Sequence, residues 1–221
     1  MKNLIIIPAY NESESLPSVI KNIFSLNLPD TDILVVDDGS SDQTFDLAKN
    51  LGVKVLRHCI NRGQGASLKT GIDFCLKNNY DKVVFFDADG QMDHQEIPLL
   101  LEKLNSDCQV VLGSRRLGKV INMPIARRFV KYLALIFTHL TTGLKLTDTH
   151  NGFQAWHSDA LKKIELYQDG YAHASQLLQQ IAKHRLRYCE FPVTIKYTDY
   201  SKRRGQSLWS ALKILWDLLI K

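Results

Sequence analysis

Residues 4–12 read LIIIPAYNE: four aliphatic side chains, a proline, then polar groups. A short apolar run without alternation fits a strand covered on both faces, which is how parallel sheets bury their strands. Further β-rich runs that read as strands are ILVVDDGSSD at 33–42, VKVLR at 53–57, VVFFDADGQ at 83–91 and VVLGSR at 110–115. Between these runs, residues 16–26, 44–51, 66–79 and 97–104 carry apolar positions at helical spacing, and Ser41 or Asp42 is placed to cap the second helix. Strands alternating with helices predict an α/β domain on a mostly parallel sheet flanked by helices.

After Ser114 the pattern changes to a basic loop, an amphipathic segment at 125–142, an irregular stretch at 148–156, a helix at 172–184 and strand-like pieces at 187–191 and 193–197. The last fourteen residues place Leu208, Leu212, Leu215 and Leu219 on one helical face with Trp209 and Trp216 nearby, a helix suited to lie on a bilayer or to pack on the domain. The chain has 221 residues and 45% hydrophobic composition, enough for one substantial core. The expected organisation is one domain over 1–206 and an amphipathic, membrane-proximal helix over 207–221.

No run reaches the roughly 18 to 20 apolar residues that a spanning helix needs; the nearest, 129–146, is interrupted by Lys131, His139 and Lys145. The N-terminus lacks a signal-peptide pattern, so a cytoplasmic protein is expected. Cys59, Cys75, Cys108 and Cys189 form no C-x-x-C pair and read as reduced, mostly buried thiols rather than a zinc site or a disulfide framework. Charge is uneven: residues 1–112 carry 10 Lys and Arg against 16 Asp and Glu, net −6, and residues 113–221 carry 18 against 7, net +11. An acidic half suits a cation and a basic half an anionic surface. Nucleic acid is not expected as a partner, because the basic residues are not interleaved with aromatics on a recognisable module.

Ligands of open α/β sheets bind outside the carboxyl ends of the strands. Three such ends carry chemistry: Pro8 to Glu12, Asp37 to Asp42, and Asp87-Ala88-Asp89-Gly90-Gln91. Each alone makes an ordinary turn. The third is no calcium loop, since glycine stands fourth and Pro98 holds position twelve. Gly63-Gln64-Gly65 is no dinucleotide fingerprint, since Leu68 replaces the third glycine. Together on one sheet edge, carboxylates two residues apart suit Mg²⁺ or Mn²⁺ bridging a diphosphate, while Glu12, Asp37 or Asp38 and the Pro8–Tyr10 segment suit a nucleoside.

The set IIIPAYNE, VVDDGSSDQT, NRGQGAS, FFDADGQ and GSR resembles the family 2 glycosyltransferases of GT-A fold, nearest to the dolichyl-phosphate and polyprenyl-phosphate sugar synthases. The likeness implies a Rossmann-like, mixed and mostly parallel sheet, and an inverting, metal-dependent hexosyltransferase. The implied reaction moves a sugar from a UDP- or GDP-sugar to a polyprenyl phosphate for cell-surface glycan synthesis. By the same likeness Pro8, Tyr10, Glu12 and Asp37 or Asp38 line the nucleoside pocket. Asp87 and Ala88 face the ribose and donor sugar, and Asp89 with Gln91 holds Mg²⁺ or Mn²⁺. Arg115 falls near the phosphates or the acceptor, Arg127 and Arg128 at the lipid phosphate, and Arg203 and Arg204 in a basic loop closing over the diphosphate. Asp148 opens DTHNGF, which resembles the acceptor loop D-x-x-S/N-G-F, and is the candidate base for a hydroxyl acceptor. A lipid phosphate is already ionised at neutral pH and needs orientation more than a base. His150 and His173 read first as structural histidines, and Gln176 stands where an acid is expected. Many relatives continue into transmembrane helices. Here the implied placement is peripheral, on the inner face of the plasma membrane, with a small membrane-protein partner as one means of attachment. The competing readings are transfer to a sugar hydroxyl of a growing polysaccharide and a non-catalytic membrane-associated binding module.

Overall fold

Strand β1 (Asn3–Ala9) alternates its burial between two layers: Ile5 and Ile7 face one cluster, and Leu4 and Ile6 the other. That double covering explains the unbroken aliphatic run. The computed structural model describes residues 1–104, 108–123 and 125–197, with backbone alone at 125–127. The expected C-terminal helix, the 202–207 loop and both Arg203 and Arg204 lie outside the described residues, as does the side chain of Arg127.

Chain order after β1 is α1 (Leu16–Phe24), β2 (Thr31–Asp37), α2 (Thr44–Asn50), β3 (Lys54–Arg57), α3 (Gln64–Lys77), β4 (Lys82–Phe85), a 3₁₀ turn at His94–Glu96, and α4 (Ile97–Lys103). Then follow β5 (Val110–Ile121), α5 (Ile125–Thr142), β6 (Gln154–His157), α6 (Ser158–Leu161), α7 (His173–Lys183) and β7 (Tyr188–Lys196). Seven strands form one sheet in the order β3-β2-β1-β4-β6-β5-β7. All neighbours are parallel except β6, which runs antiparallel to β4 and β5. α1 and α4 supply one apolar layer through Leu16, Val19, Ile20, Ile23, Ile97 and Leu100. α3, α6 and α7 supply the other through Leu68, Ile72, Leu161, Leu177 and Ile181. The expected mixed, mostly parallel sheet between helices is what forms.

Three expectations need correction. The irregular stretch at 148–156 contains the start of β6. The pieces at 187–191 and 193–197 are one strand, β7, running through Pro192. Pro192 is tolerated because β7 is the edge strand of the sheet, beside β5, and its further contact, the Met92–Ile195 bridge, lies three residues beyond the proline. Finally, Cys108 and Cys189 are joined as a disulfide with Cα atoms 6.0 Å apart, where four thiols were expected; Cys59 and Cys75 are free. The pairing of Val111 with Cys189 across β5 and β7 brings the two together, a proximity that their separation of 81 residues hides.

Candidate active site

The loops after β1 and β2 interlock. Ser40 Oγ accepts from Asn11 N at 2.8 Å, Asn11 Oδ1 accepts from Ser41 N at 2.9 Å, and Thr44 Oγ1 accepts from Glu12 N at 2.8 Å. Asp42 accepts from Thr44 N and Ser13 N, so it tethers both loops as well as the start of α2. Asn11 at φ 54 and Gly39 at φ 72 take the left-handed turns this requires, and a Cβ on Gly39 would meet the Ile60 backbone at 2.7 Å. Pro8 and Glu12 are partly buried and Tyr10 is 45% exposed, an aromatic ring open to a ligand.

Asp37 and Asp38 have separate tasks. Asp38 accepts from His58 Nδ1 at 2.7 Å, Arg62 N at 3.0 Å and Gly63 N at 2.7 Å, so it organises the 58–63 loop. Asp37 is fully buried. Its Oδ1 accepts from Ser40 N at 3.2 Å, but Oδ2 makes no hydrogen bond, Arg57 Nε standing 3.0 Å away without alignment. The Arg57 charge compensates the buried carboxylate, and Oδ2 keeps hydrogen-bonding capacity for a ligand N–H.

Beyond β4, Asp87 Oδ1 accepts from Gln64 Nε2 at 3.0 Å, and a Cβ on Gly152 would stand 2.8 Å from Asp87 Oδ2. Asp89 Oδ1 accepts from Gln91 N at 3.0 Å, and its Oδ2 from Gln91 Nε2. Burial raises the pKa of both carboxylates. The charges of Asp89 and Glu12 raise Asp87 further, and Glu12 does the same to Asp89. Two buried carboxylates that also feel the charge of Glu12 are relieved by a cation. Among the described residues no three metal-binding side chains converge, so an ion held by Asp89 and the Gln91 amide oxygen would take its other ligands from water and diphosphate. Mg²⁺ or Mn²⁺ fits that donor set.

On the neighbouring strand, Arg115 is 9% exposed and grips Asp148 through Nε at 2.6 Å and Nη2 at 2.8 Å, while Nη2 also donates to Thr149 O at 2.7 Å. Burial alone would raise the Asp148 pKa; the Arg115 charge and hydrogen bonds outweigh it and hold the carboxyl below its usual range. Such an Asp is a poor proton acceptor. Arg115 is near enough to lower the Asp87 pKa, yet its hydrogen bonds fix the 147–149 turn.

The profile of Glycosyl transferase family 2 matches residues 4–165. The chain belongs to this family. Undecaprenyl-phosphate mannosyltransferase of Micrococcus luteus is 34% identical over 88% of this chain and 83% of its own. UDP-N-acetylglucosamine–dolichyl-phosphate N-acetylglucosaminyltransferase of Methanococcus voltae is 32% identical over 98% and 94%. In structure, the family 2 chain resembles glucosyl-3-phosphoglycerate synthase from Mycobacterium tuberculosis, solved with Mn²⁺ and UDP-glucose. The TM-score is 0.75 at 19% identity, covering 99% of this chain and 76% of that one. That likeness establishes the GT-A fold.

Within this family 2 domain the fold brings Glu12, Asp87 and Asp89 together, with Ala88 buried between the two aspartates. Arg128, on α5, is exposed. Several residues escaped the sequence reading. Gln64, Tyr171 and Lys131 reach the site only through tertiary structure: Gln64 on Asp87, Tyr171 where burial and then Asp87 and Glu12 raise its phenol pKa, and Lys131 acting on Asp148 and His150. Glu190 on β7 accepts from Thr147 N at 2.9 Å and Asp148 N at 3.2 Å. Gln176, where an acid was expected, accepts from Tyr167 N and Gln168 N and donates to Glu165 O at 2.8 Å. An ionised carboxylate lacks that donor, which is why an amide serves there.

Proposed function

We propose that the chain transfers a hexosyl group, with inversion, from a UDP- or GDP-sugar to a polyprenyl phosphate at a membrane surface. The observation that carries this reading is the electrostatic coupling of Glu12, Asp87 and Asp89 at the carboxyl edge of the sheet, the edge on which the buried Asp37 also ends its strand. Asp37 accepts a base N–H, with Pro8 and Tyr10 as the flat wall, and Asp38 holds the loop behind it. Asp87 faces ribose and donor sugar; Asp89 and Gln91 hold the divalent ion. That ion, when bound, neutralises the departing nucleoside diphosphate. Arg203 and Arg204 of the basic 202–207 segment are assigned to the same group for their charge.

The Arg115–Asp148 pair favours a phosphate acceptor over a sugar hydroxyl. A hydroxyl needs a base, and Asp148 is held ionised and occupied, whereas a phosphomonoester arrives already ionised. The two named relatives act on undecaprenyl and dolichyl phosphates, which agrees. Arg127 and Arg128 head α5 as the phosphate's cationic partners. Phe129, Tyr132, Leu133, Ile136 and Leu140 are all exposed along one face of that helix, while Leu135 and Thr138 are buried on the other. Such a face suits peripheral binding on the cytoplasmic leaflet, aided by the leucine- and tryptophan-bearing 207–221 segment or a small membrane-protein partner. Among the described residues no helix is long and apolar enough to cross a membrane.

The test incubates the protein with a panel of nucleotide sugars, Mn²⁺ and a short polyprenyl phosphate, and scores product by mass spectrometry. Asp89→Ala is expected to lower turnover by at least about a thousandfold, the scale of losing a main transition-state charge contact. Asp148→Asn is expected to retain measurable turnover. Abolished transfer in that variant, with the fold intact, would turn the assignment toward a hydroxyl acceptor. Unchanged donor binding and turnover in Asp89→Ala would refute the reading.

A further inference from the structure

Three buried polar side-chain atoms lack a hydrogen-bond partner among the described residues: Asp37 Oδ2, Ser67 Oγ and Asn151 Nδ2. A buried donor left unpaired is costly, so an orphan amide calls for a reason. Asn151 is 7% exposed. The orientation of its carboxamide is fixed by chemistry. Its Oδ1 accepts from Phe153 N at 3.2 Å, and flipping the group would set an NH₂ against that N–H. The unpaired atom is therefore a donor.

The loop around it is held from several sides. His150 sits at φ 52, a conformation strained for its residue type, and is pinned by Ser175 Oγ at 2.7 Å from its Nε2. Gln154 Nε2 donates to Asn151 O at 2.7 Å. Gly152, the next residue, abuts the Asp87 carboxylate so closely that a Cβ would clash with Oδ2. The rigid turn thus holds one unused amide N–H on the residue next to Gly152, whose own backbone abuts the carboxylate assigned to the donor sugar.

We infer that Asn151 is a sugar-binding residue whose Nδ2 donates to a hydroxyl oxygen of the transferred hexose. This rests on the transfer reading above and names a contact within it. A neutral hydroxyl suits the position better than a phosphate, because Asp87, Asp89 and Glu12 would repel an anion there. A hydroxyl also complements the pair: it accepts from the amide while donating to the neighbouring carboxylate.

The test uses Asn151→Ser, which removes the amide donor without adding charge, with Asn151→Asp, which keeps the acceptor for Phe153 N but adds a negative charge, as a second variant and melting temperatures recorded for both. The probes are UDP, GDP, UDP-glucose, GDP-mannose and the monodeoxy analogues of those sugars. Expected are a rise of about tenfold in KM for the active nucleotide sugar, the scale of one hydrogen bond, and unchanged affinity for the free nucleoside diphosphate and polyprenyl phosphate. The decisive reading is a cycle. One monodeoxy donor should lose affinity in the natural protein, and that loss should vanish in the Asn151 variants. Equal penalties for every analogue in both proteins, or a rise in KM for the lipid alone, would overturn the inference while leaving the transferase reading standing. A uniform loss that tracks the melting temperature would also overturn it. If the natural protein binds and transfers no sugar nucleotide, the transferase reading itself fails and this inference falls with it.

Discussion

His150 shows how one side chain ties the acceptor-side turn to pH. Burial, then the positive charges of Lys131 and Arg115, push its pKa down to about 3 from an ordinary 6.5; Asp148 acts in the opposite sense, and His173 adds to the lowering. The folded protein refuses a proton that the unfolded chain accepts below pH 6.5. The stability linked to His150 is therefore complete above pH 6.5 and lost as pH falls toward 3, by at most about 1.4 kcal/mol per pH unit for one proton. His173, also lowered by burial, adds the same sign. His150→Asn removes the titration with a residue that tolerates positive φ. Urea unfolding between pH 6.5 and 3 should give a shallower profile for this variant; parallel profiles would remove His150 as the cause. The sequence reading placed both histidines as structural, and the geometry agrees. Apportioning Asp37 and Asp38 was beyond it, because adjacent aspartates are separated only by the donors that the 57–63 loop brings to each.

At the scale of elements, legibility followed local contact. β1, β2 and β4 announce themselves as aliphatic runs because both faces are covered, as does the buried first half of β5, whereas the edge strand β3 shows only Val55 and Leu56 between two cations. β6 does not: its four residues, QAWH, form no aliphatic run, and its antiparallel place between β4 and β5 is set by partners distant in sequence. α5 was legible as amphipathic, and the structure adds which face is left over. Leu133 and Leu140, 45% and 81% exposed, stand on that face. Leu133→Asp with Leu140→Asp should leave the circular dichroism spectrum and soluble donor binding unchanged. Sedimentation with phosphatidylglycerol vesicles should fall by at least about tenfold, since burying each leucine in lipid is worth about 1.5–3 kcal/mol. Full retention on vesicles would assign membrane contact to another part of the chain.

For the molecule as a whole, the order of motifs along the chain was enough to foresee a GT-A sheet with its acidic rim, because each βα unit places its own strand end on the same edge. The joining of the sheet's far side was not foreseeable. Cys108 and Cys189 are separated by 81 residues that hold β6 and most of the acceptor-side loops, and only the β5–β7 register brings them within 6.0 Å between Cα atoms. These two strands also carry Arg115 and Glu190, whose carboxylate supports the turn that Arg115 grips. A cross-link there reduces the freedom of a long unfolded loop, and chain-entropy arguments set an upper bound of about 4–5 kcal/mol. Unreduced protein unfolded in guanidinium should show two titratable thiols, Cys59 and Cys75, and four after reduction. Reduction, or Cys108→Ser, should lower the melting temperature while leaving nucleotide affinity nearly unchanged, since Asp37 ends β2 and Asp87 and Asp89 follow β4, and the loop after β4 meets β7 at Ile195 and Lys196, six or more residues along the strand from Cys189. Four thiols before reduction would show that the two cysteines pack together without a bond, and the stability of the β5–β7 edge would then rest on strand pairing and burial alone.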